Sequence, residues 1–143
     1  MKKNILIVFA SLVLFITTYD PVFAKGSYFI KGKKLFDNKK YVDSKFYFEK
    51  EIVFNPKSEN SYLFLAKIFK EVKKTTLEEN NLNTVLLLNP KNEEAIYLLA
   101  LLNIKKSNFS KAKSLILTMN SVCKKMCSKK KELNPMKKSI LLF

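Results

Sequence analysis

The sequence predicts an all-α chain built from repeated helical hairpins, on three observations. First, the 143 residues include only 2 Gly and 4 Pro against abundant Leu, Lys, Glu and Phe, so the residues that punctuate turns are scarce. Second, Asn55-Pro56-Lys57 recurs as Asn89-Pro90-Lys91, a period of 34 residues. A fixed period in this range marks a repeat architecture. Third, apolar residues fall at helical spacing within one period, as in Tyr62, Leu65, Ala66, Phe69 and then Leu82, Val85, Leu86.

The N-terminal segment reads as an address rather than as fold. Lys2 and Lys3 precede an uncharged apolar run, Ile5 to Ile16. Thr17-Thr18-Tyr19-Asp20-Pro21 breaks it, and Val22-Phe23-Ala24 offers small residues three and one before a cut. This is the pattern of a secretory signal peptide over residues 1–24, cleaved after Ala24. The run is short of the roughly 20 residues a membrane span needs, although an uncleaved anchor is the competing reading. No Cys lies near the site, so lipoprotein processing is not supported. The expected compartment is a bacterial periplasm, with no integral membrane segment after cleavage.

The repeats follow. Stepping by 34 residues aligns Gly32, Ala66 and Ala100, all small, and Tyr28, Tyr62 and Ile96, all bulky. Phe48, Leu82 and Ile116 align too, and Ile52 and Leu86 each precede a Pro by four. The small residue lets the two helices of one hairpin approach closely. Pro lacks an N–H and disfavours helix in the residue before it, so it ends the second helix. Ser58 and Asn92 are capping residue types before the next helix, and the acids that follow suit the positive end of its dipole. Helices are expected over 26–37, 42–54, 59–72, 76–88, 93–106 and 109–121. A short capping helix is expected over 135–142, with Asn134 as its cap and Pro135 in its first turn. Ile140, Leu141 and Phe143 would cover the last open face by packing on Leu115, Met119 and Val122.

These columns and the two Asn-Pro pairs resemble the tetratricopeptide repeat (TPR) family. The resemblance divides the chain into 25–58, 59–92 and 93–126, followed by a basic segment with a capping helix over 127–143. It implies a TPR-type helical-hairpin solenoid of about three repeats. There are departures. Glu78 replaces a usual small residue, so a splayed or locally irregular middle hairpin is the expectation; Lys31 replaces a usual Leu, Asn120 a usual apolar residue, and Asn103 is a polar mismatch with Leu35 and Phe69.

Cys123 and Cys127 are four residues apart. One helical turn would set their Cα atoms about 6 Å apart, within disulfide reach, and an oxidising compartment favours pairing. Small secreted bacterial members of the family that end in Cys-x-x-x-Cys look similar, which implies a structural disulfide. Two other readings stay open. One is a redox-active pair, although catalytic pairs usually take the form Cys-x-x-Cys at a helix N-terminus. The other is a soft-metal site formed with Met119 and Met126.

Composition excludes several activities. There is no His, which removes Ser-His-Asp and Cys-His hydrolases and His-based metal sites. Two Gly cannot supply a Gly-rich phosphate loop. Glu78-Glu79 and Glu93-Glu94 are sequence neighbours, which point about 100° apart on a helix and cannot act as an acid/base pair. No catalysis and no cofactor are expected. The net charge is +15, carried by 27 Lys and no Arg. Without the planar fork of Arg, and with export, nucleic acid is not an expected partner. Lys124, Lys125, Lys129, Lys130, Lys131, Lys137 and Lys138 form a basic tail. It reads as a solvated face, or as a weak contact with an anionic envelope surface.

The family resemblance implies a scaffold that binds an extended peptide or helix in the concave groove made by the first helix of each hairpin. The groove candidates are Phe29, Lys33, Phe36, Leu63, Lys67, Lys70, Tyr97 and Leu101, about half of them exposed. Lys33 and Lys67 are equivalent and could meet acidic groups; the apolar members would anchor apolar side chains. The carboxylate-clamp pattern of some family members is not reproduced. The alternative function is redox or soft-metal handling by Cys123 and Cys127.

Overall fold

The computed structural model describes residues 26–129 and 132–133. The export segment, the helix expected over 135–142 and Lys130, Lys131, Lys137 and Lys138 lie outside them. The described residues form α1 (Ser27–Asp37), α2 (Tyr41–Phe54), α3 (Glu59–Glu71), α4 (Thr75–Leu88), α5 (Glu93–Lys105) and α6 (Phe109–Val122). They pair as three antiparallel hairpins, and each hairpin packs on the next.

The turns inside the hairpins share one backbone solution. Lys39, Lys73 and Ser107 all take the left-handed conformation, with φ of 58°, 56° and 58°. After each, an amide reaches back five residues: Lys40 N to Leu35 O at 2.9 Å, Lys74 N to Phe69 O at 2.8 Å and Asn108 N to Asn103 O at 2.8 Å. This is the Schellman closure, formed here without the Gly that usually signals it. The turns between hairpins use Pro. Asn55 and Asn89 leave the helix because a Pro follows. The Ser58 amide then closes on Asn55 O at 2.9 Å, and the Asn92 amide on Asn89 O at 3.1 Å.

Capping is uneven. Asn92 accepts from the Ala95 amide at 2.8 Å, and Asn108 from Lys111 at 3.3 Å. Ser58 stands at the N-cap of α3 without capping it; its hydroxyl pairs with that of the buried Ser61 at 2.8 Å.

The core runs along the array. Phe48, Leu65, Ile68 and Phe69 form its first part. Gly32 is small for a specific reason: a Cβ there would lie 2.9 Å from the Phe48 ring. The Ser44 hydroxyl donates to Gly32 O at 2.8 Å in the same close approach. Leu63, Ala66, Leu82, Val85, Ala95, Leu99 and Leu102 continue the core between the second and third hairpins.

The middle hairpin does not splay. Glu78 is 7% exposed, while Ala66, Leu82 and Val85 around it stay at 1% or less. A long side chain is tolerated because it leads its carboxyl out towards Lys70 and Lys105 rather than into the helix contact. Its neighbour Glu79 ties the hairpins together, accepting from Lys106 and, at 3.1 Å, from Lys111. These two hydrogen bonds hold its carboxyl below the usual range.

Asn103 is fully buried. Its amide donates to Leu99 O at 2.8 Å, but its carbonyl oxygen has no partner among the described residues. An unmet buried acceptor is costly. Asn103→Leu is therefore expected to stabilise the protein by about 1 kcal/mol, read as a raised urea midpoint.

Part of the C-terminal segment 127–143 is described. Residues 127–129 and 132–133 are helical, and Leu133 is fully buried against Ala100, Ala112 and Ile116. Leu133 continues the 34-residue column of Leu65 and Leu99. The segment thus takes the place of the first helix of a further hairpin. The same column begins with Lys31, which is exposed with its ammonium 4.5 Å from the Tyr47 ring centroid. One end of the array is closed by Leu and the other is solvated by Lys.

Candidate functional site: the shared face of α1, α3 and α5

The first helices of the hairpins lie side by side. Phe29 of α1 packs edge-to-face with Phe64 of α3 at 5.7 Å, and Lys67 of α3 pairs with Glu94 of α5 at 2.7 Å. Phe29 and Phe36 are half-buried and form one aromatic cluster with Phe48, Tyr41 and Phe64. The Phe29 amide also donates to the buried Glu51 carboxylate at 3.2 Å, which ties the start of α1 to α2.

The lysines differ among themselves. Lys33 is exposed and pairs with Asp37 at 2.8 Å. Lys67 is more confined, held by Glu94 and by the Phe64 ring 4.7 Å away. Both equivalent lysines thus already have a carboxylate partner within the chain. Lys70 is exposed with no ion pair within 4 Å among the described residues.

Leu63 requires a correction. It is 5% exposed and belongs to the core between α3, α4 and α5, so it does not line a groove. The residue after it, Phe64, is half-buried and packs against Phe29, Phe36 and Phe48. Ile30, Phe64 and Leu98 form its column, again 34 residues apart. Helical spacing alone does not tell two adjacent columns apart, but the 70% exposure of Ile30 does.

Leu101 is half-buried beside Tyr97, and the segment after Cys127 has closed on both. The Tyr97 hydroxyl donates to Glu132 at 2.6 Å, which raises the Tyr97 pKa. Glu132 also accepts from Lys129 at 2.7 Å. These hydrogen bonds hold the Glu132 carboxyl below its ordinary range.

The cysteines are joined to each other, with Cα atoms 5.2 Å apart. They do not sit on one helical turn. Cys123 is the extended C-cap of α6 (φ −60°, ψ 130°), and Cys127 begins the next helical segment. The bond closes a loop whose successive amides converge on one carboxylate. Glu93, the first residue of α5, accepts from Lys124 at 2.9 Å, from Lys125 at 3.1 and 3.0 Å, and from Met126 at 2.6 Å. Such a nest of N–H groups favours the anion, and the Met126 amide above all holds the Glu93 carboxyl below the usual range. Its counterpart Glu59 accepts from the side-chain amides of Asn89 and Asn92 at 2.9 and 2.6 Å. The disulfide loop thus replaces an asparagine turn. Met119 is fully buried in the core.

Among the described residues no helix is long and apolar enough to cross a membrane.

No family model matches the chain, and no curated protein matches it in sequence. Solved structures match it in fold. The first TPR domain of RPAP3 (Spaghetti), bound to the HSP90 peptide SRMEEVD, has a TM-score of 0.72 at 17% identity, over 82% of this chain and 95% of that one. The Arabidopsis OM64 TPR domain gives 0.65 at 17% identity, over 79% and 96%. The TPR2B domain of yeast Sti1 in a pHsp70 complex gives 0.62 at 14% identity, over 81% and 89%. The chain has the tetratricopeptide-repeat fold, an all-α array of helical hairpins closed at its C-terminal end by the segment after Cys127.

Proposed function

We propose that this protein is an exported interaction scaffold that binds an extended or helical segment of another protein on the shared face of α1, α3 and α5, without catalysis. One observation carries the reading. That face presents aromatic and aliphatic groups (Ile30, Phe36, Phe64, Leu98) beside lysines, on the same fold that holds a bound peptide in the RPAP3 domain. Apolar anchors with a polar rim are the usual elements of a recognition surface. The signal-like segment 1–24 supports export to a periplasm, and the basic tail supports a weak accessory contact with an anionic envelope surface.

Photo-crosslinking in the native cells tests this. A benzoylphenylalanine at Ile30, on the inner face, is expected to give discrete protein adducts. The same group at Leu87, 82% exposed on α4, is expected not to give them. Identical adducts from both positions, or none from Ile30, would remove the reading. N-terminal sequencing of the recovered protein should begin at Lys25; retention of Met1 would overturn export with cleavage.

A further inference from the structure

The two junctions between hairpins differ where the rings of the first have no counterpart in the second, and the difference is a hole. Where α1, α2 and α3 meet, Phe36 packs edge-on to Phe64 at 5.0 Å and against Tyr41 at 5.5 Å. Thirty-four residues on, the equivalents are Lys70, Leu98 and Thr75. Three rings have become an ammonium, an aliphatic chain and a hydroxyl. A cavity of about 120 Å³ opens there between α3, α4 and α5, floored by Leu98, Leu101 and Leu102. Small-molecule sites occupy about 300–1,000 Å³, so this space suits one or two side chains rather than a cofactor.

The rim is charged. Lys70, Lys73 and Lys105 border the cavity, and none has an ion pair within 4 Å among the described residues, whereas Lys33 and Lys67 do. The single carboxyl at the cavity is Glu78, which burial makes easier to protonate. Cations at the C-terminal ends of α3 and α5 suit the helix dipoles, which accounts for Lys70 and Lys105. It does not account for Lys73 or for the missing aromatic plug.

We infer that this socket is the selective pocket of the inner face and takes an apolar side chain with an adjacent Asp or Glu from the partner protein. The apolar group replaces the missing rings over the leucine floor, and the carboxylate meets the three ammoniums. The inference rests on the scaffold reading given above and narrows its partner to an acidic-apolar segment.

The test uses the chain as the cell processes it, titrated with an N-acetylated, C-amidated Gly-Ser-Phe-Glu-Ser-Gly peptide. The blocked ends remove any terminal carboxylate. Saturable shifts of the Leu98, Leu101 and Leu102 methyl resonances are expected, with the Phe-Gln peptide binding about tenfold more weakly, the sum of a few exposed ion pairs. Lys70→Phe with Thr75→Tyr, which rebuilds the plug of the first junction, should abolish the shifts. Lys70→Gln with Lys105→Gln should reproduce the loss of Glu preference without altering the packing. Equal binding of the Glu and Gln peptides, absence of socket shifts, or undiminished binding by the plugged variant would each overturn the inference. If Ile30 adducts persist in that event, the scaffold reading stands without the pocket; if they too are absent, both fall.

Discussion

Phe48→Ala is expected to lower stability by about 3–5 kcal/mol, read as a reduced urea midpoint with the transition led by the first hairpin. Phe48 is fully buried and its ring stacks on Phe64 at 5.1 Å and lies against Phe29 at 5.6 Å. Truncation removes the contact that joins α1, α2 and α3, and the rigid aromatic neighbours cannot collapse into the space. The same ring explains Gly32. Alanine would normally favour a helix interior by about 1 kcal/mol over glycine. Here its Cβ would come within 2.9 to 3.2 Å of three Phe48 ring atoms, and the ring is held between other rings. Gly32→Ala should therefore destabilise by about 1–3 kcal/mol. Gly32→Ala combined with Phe48→Leu should cost less than the sum of the two single changes, because they share one space. Strict additivity would show that the close approach is not what keeps position 32 small.

Leu133→Ala is expected to cost about 2–5 kcal/mol and to release the segment after Cys127, seen as new proteolytic cleavage near Lys129. Leu133 is buried on the last hairpin, and its loss uncovers Ala100, Ala112 and Ile116. The loop that leads into this segment is held by Glu93, which makes its attachment pH-dependent with a defined sign. The Glu93 carboxyl is held below the usual range by the amides of the disulfide loop. Its contribution is present above the ordinary carboxylate value of about 4.3 and is lost as pH falls through the lowered folded value. Glu93→Gln should flatten the acid side of the stability profile over that interval and increase amide exchange at Lys124 to Met126. An unchanged profile would mean that other carboxylates dominate the acid limb. The disulfide closes only a short loop, so its own stabilisation through the unfolded chain is small. Its larger role is to hold the three amides convergent on Glu93.

The fold was legible because its controlling features are local and repeated. Two Asn-Pro pairs, the small column at 32, 66 and 100 and the helical spacing locate the helices α1 to α6 of the described residues to within about two residues. The inner face was legible only in part. Phe29, Phe36, Lys67 and Tyr97 are half-buried on α1, α3 and α5, whereas Leu63 belongs to the core and its neighbour Phe64 packs against the first hairpin. A rotation of one residue on a helix is about 100°, and the period is identical for both columns, so only packing distinguishes them. Glu78 was legible as an anomaly but not as part of an opening, because that depends on what Lys70, Thr75 and Leu98 leave unfilled.

By itself, the sequence determined the hairpin unit, its period, the absence of histidine chemistry and the all-lysine charge. Each is a property of local composition and spacing. The tertiary structure decided three other things. It placed Leu133 on the last hairpin, because a free apolar face on Ala100 and Ile116 takes that leucine in register. It turned Cys-Lys-Lys-Met-Cys from a supposed helical staple into a turn whose amides grip Glu93. It also showed that one inter-hairpin junction is plugged by rings and the next is open. Each of these depends on groups on different elements of the chain meeting in space, which spacing within one helix does not encode.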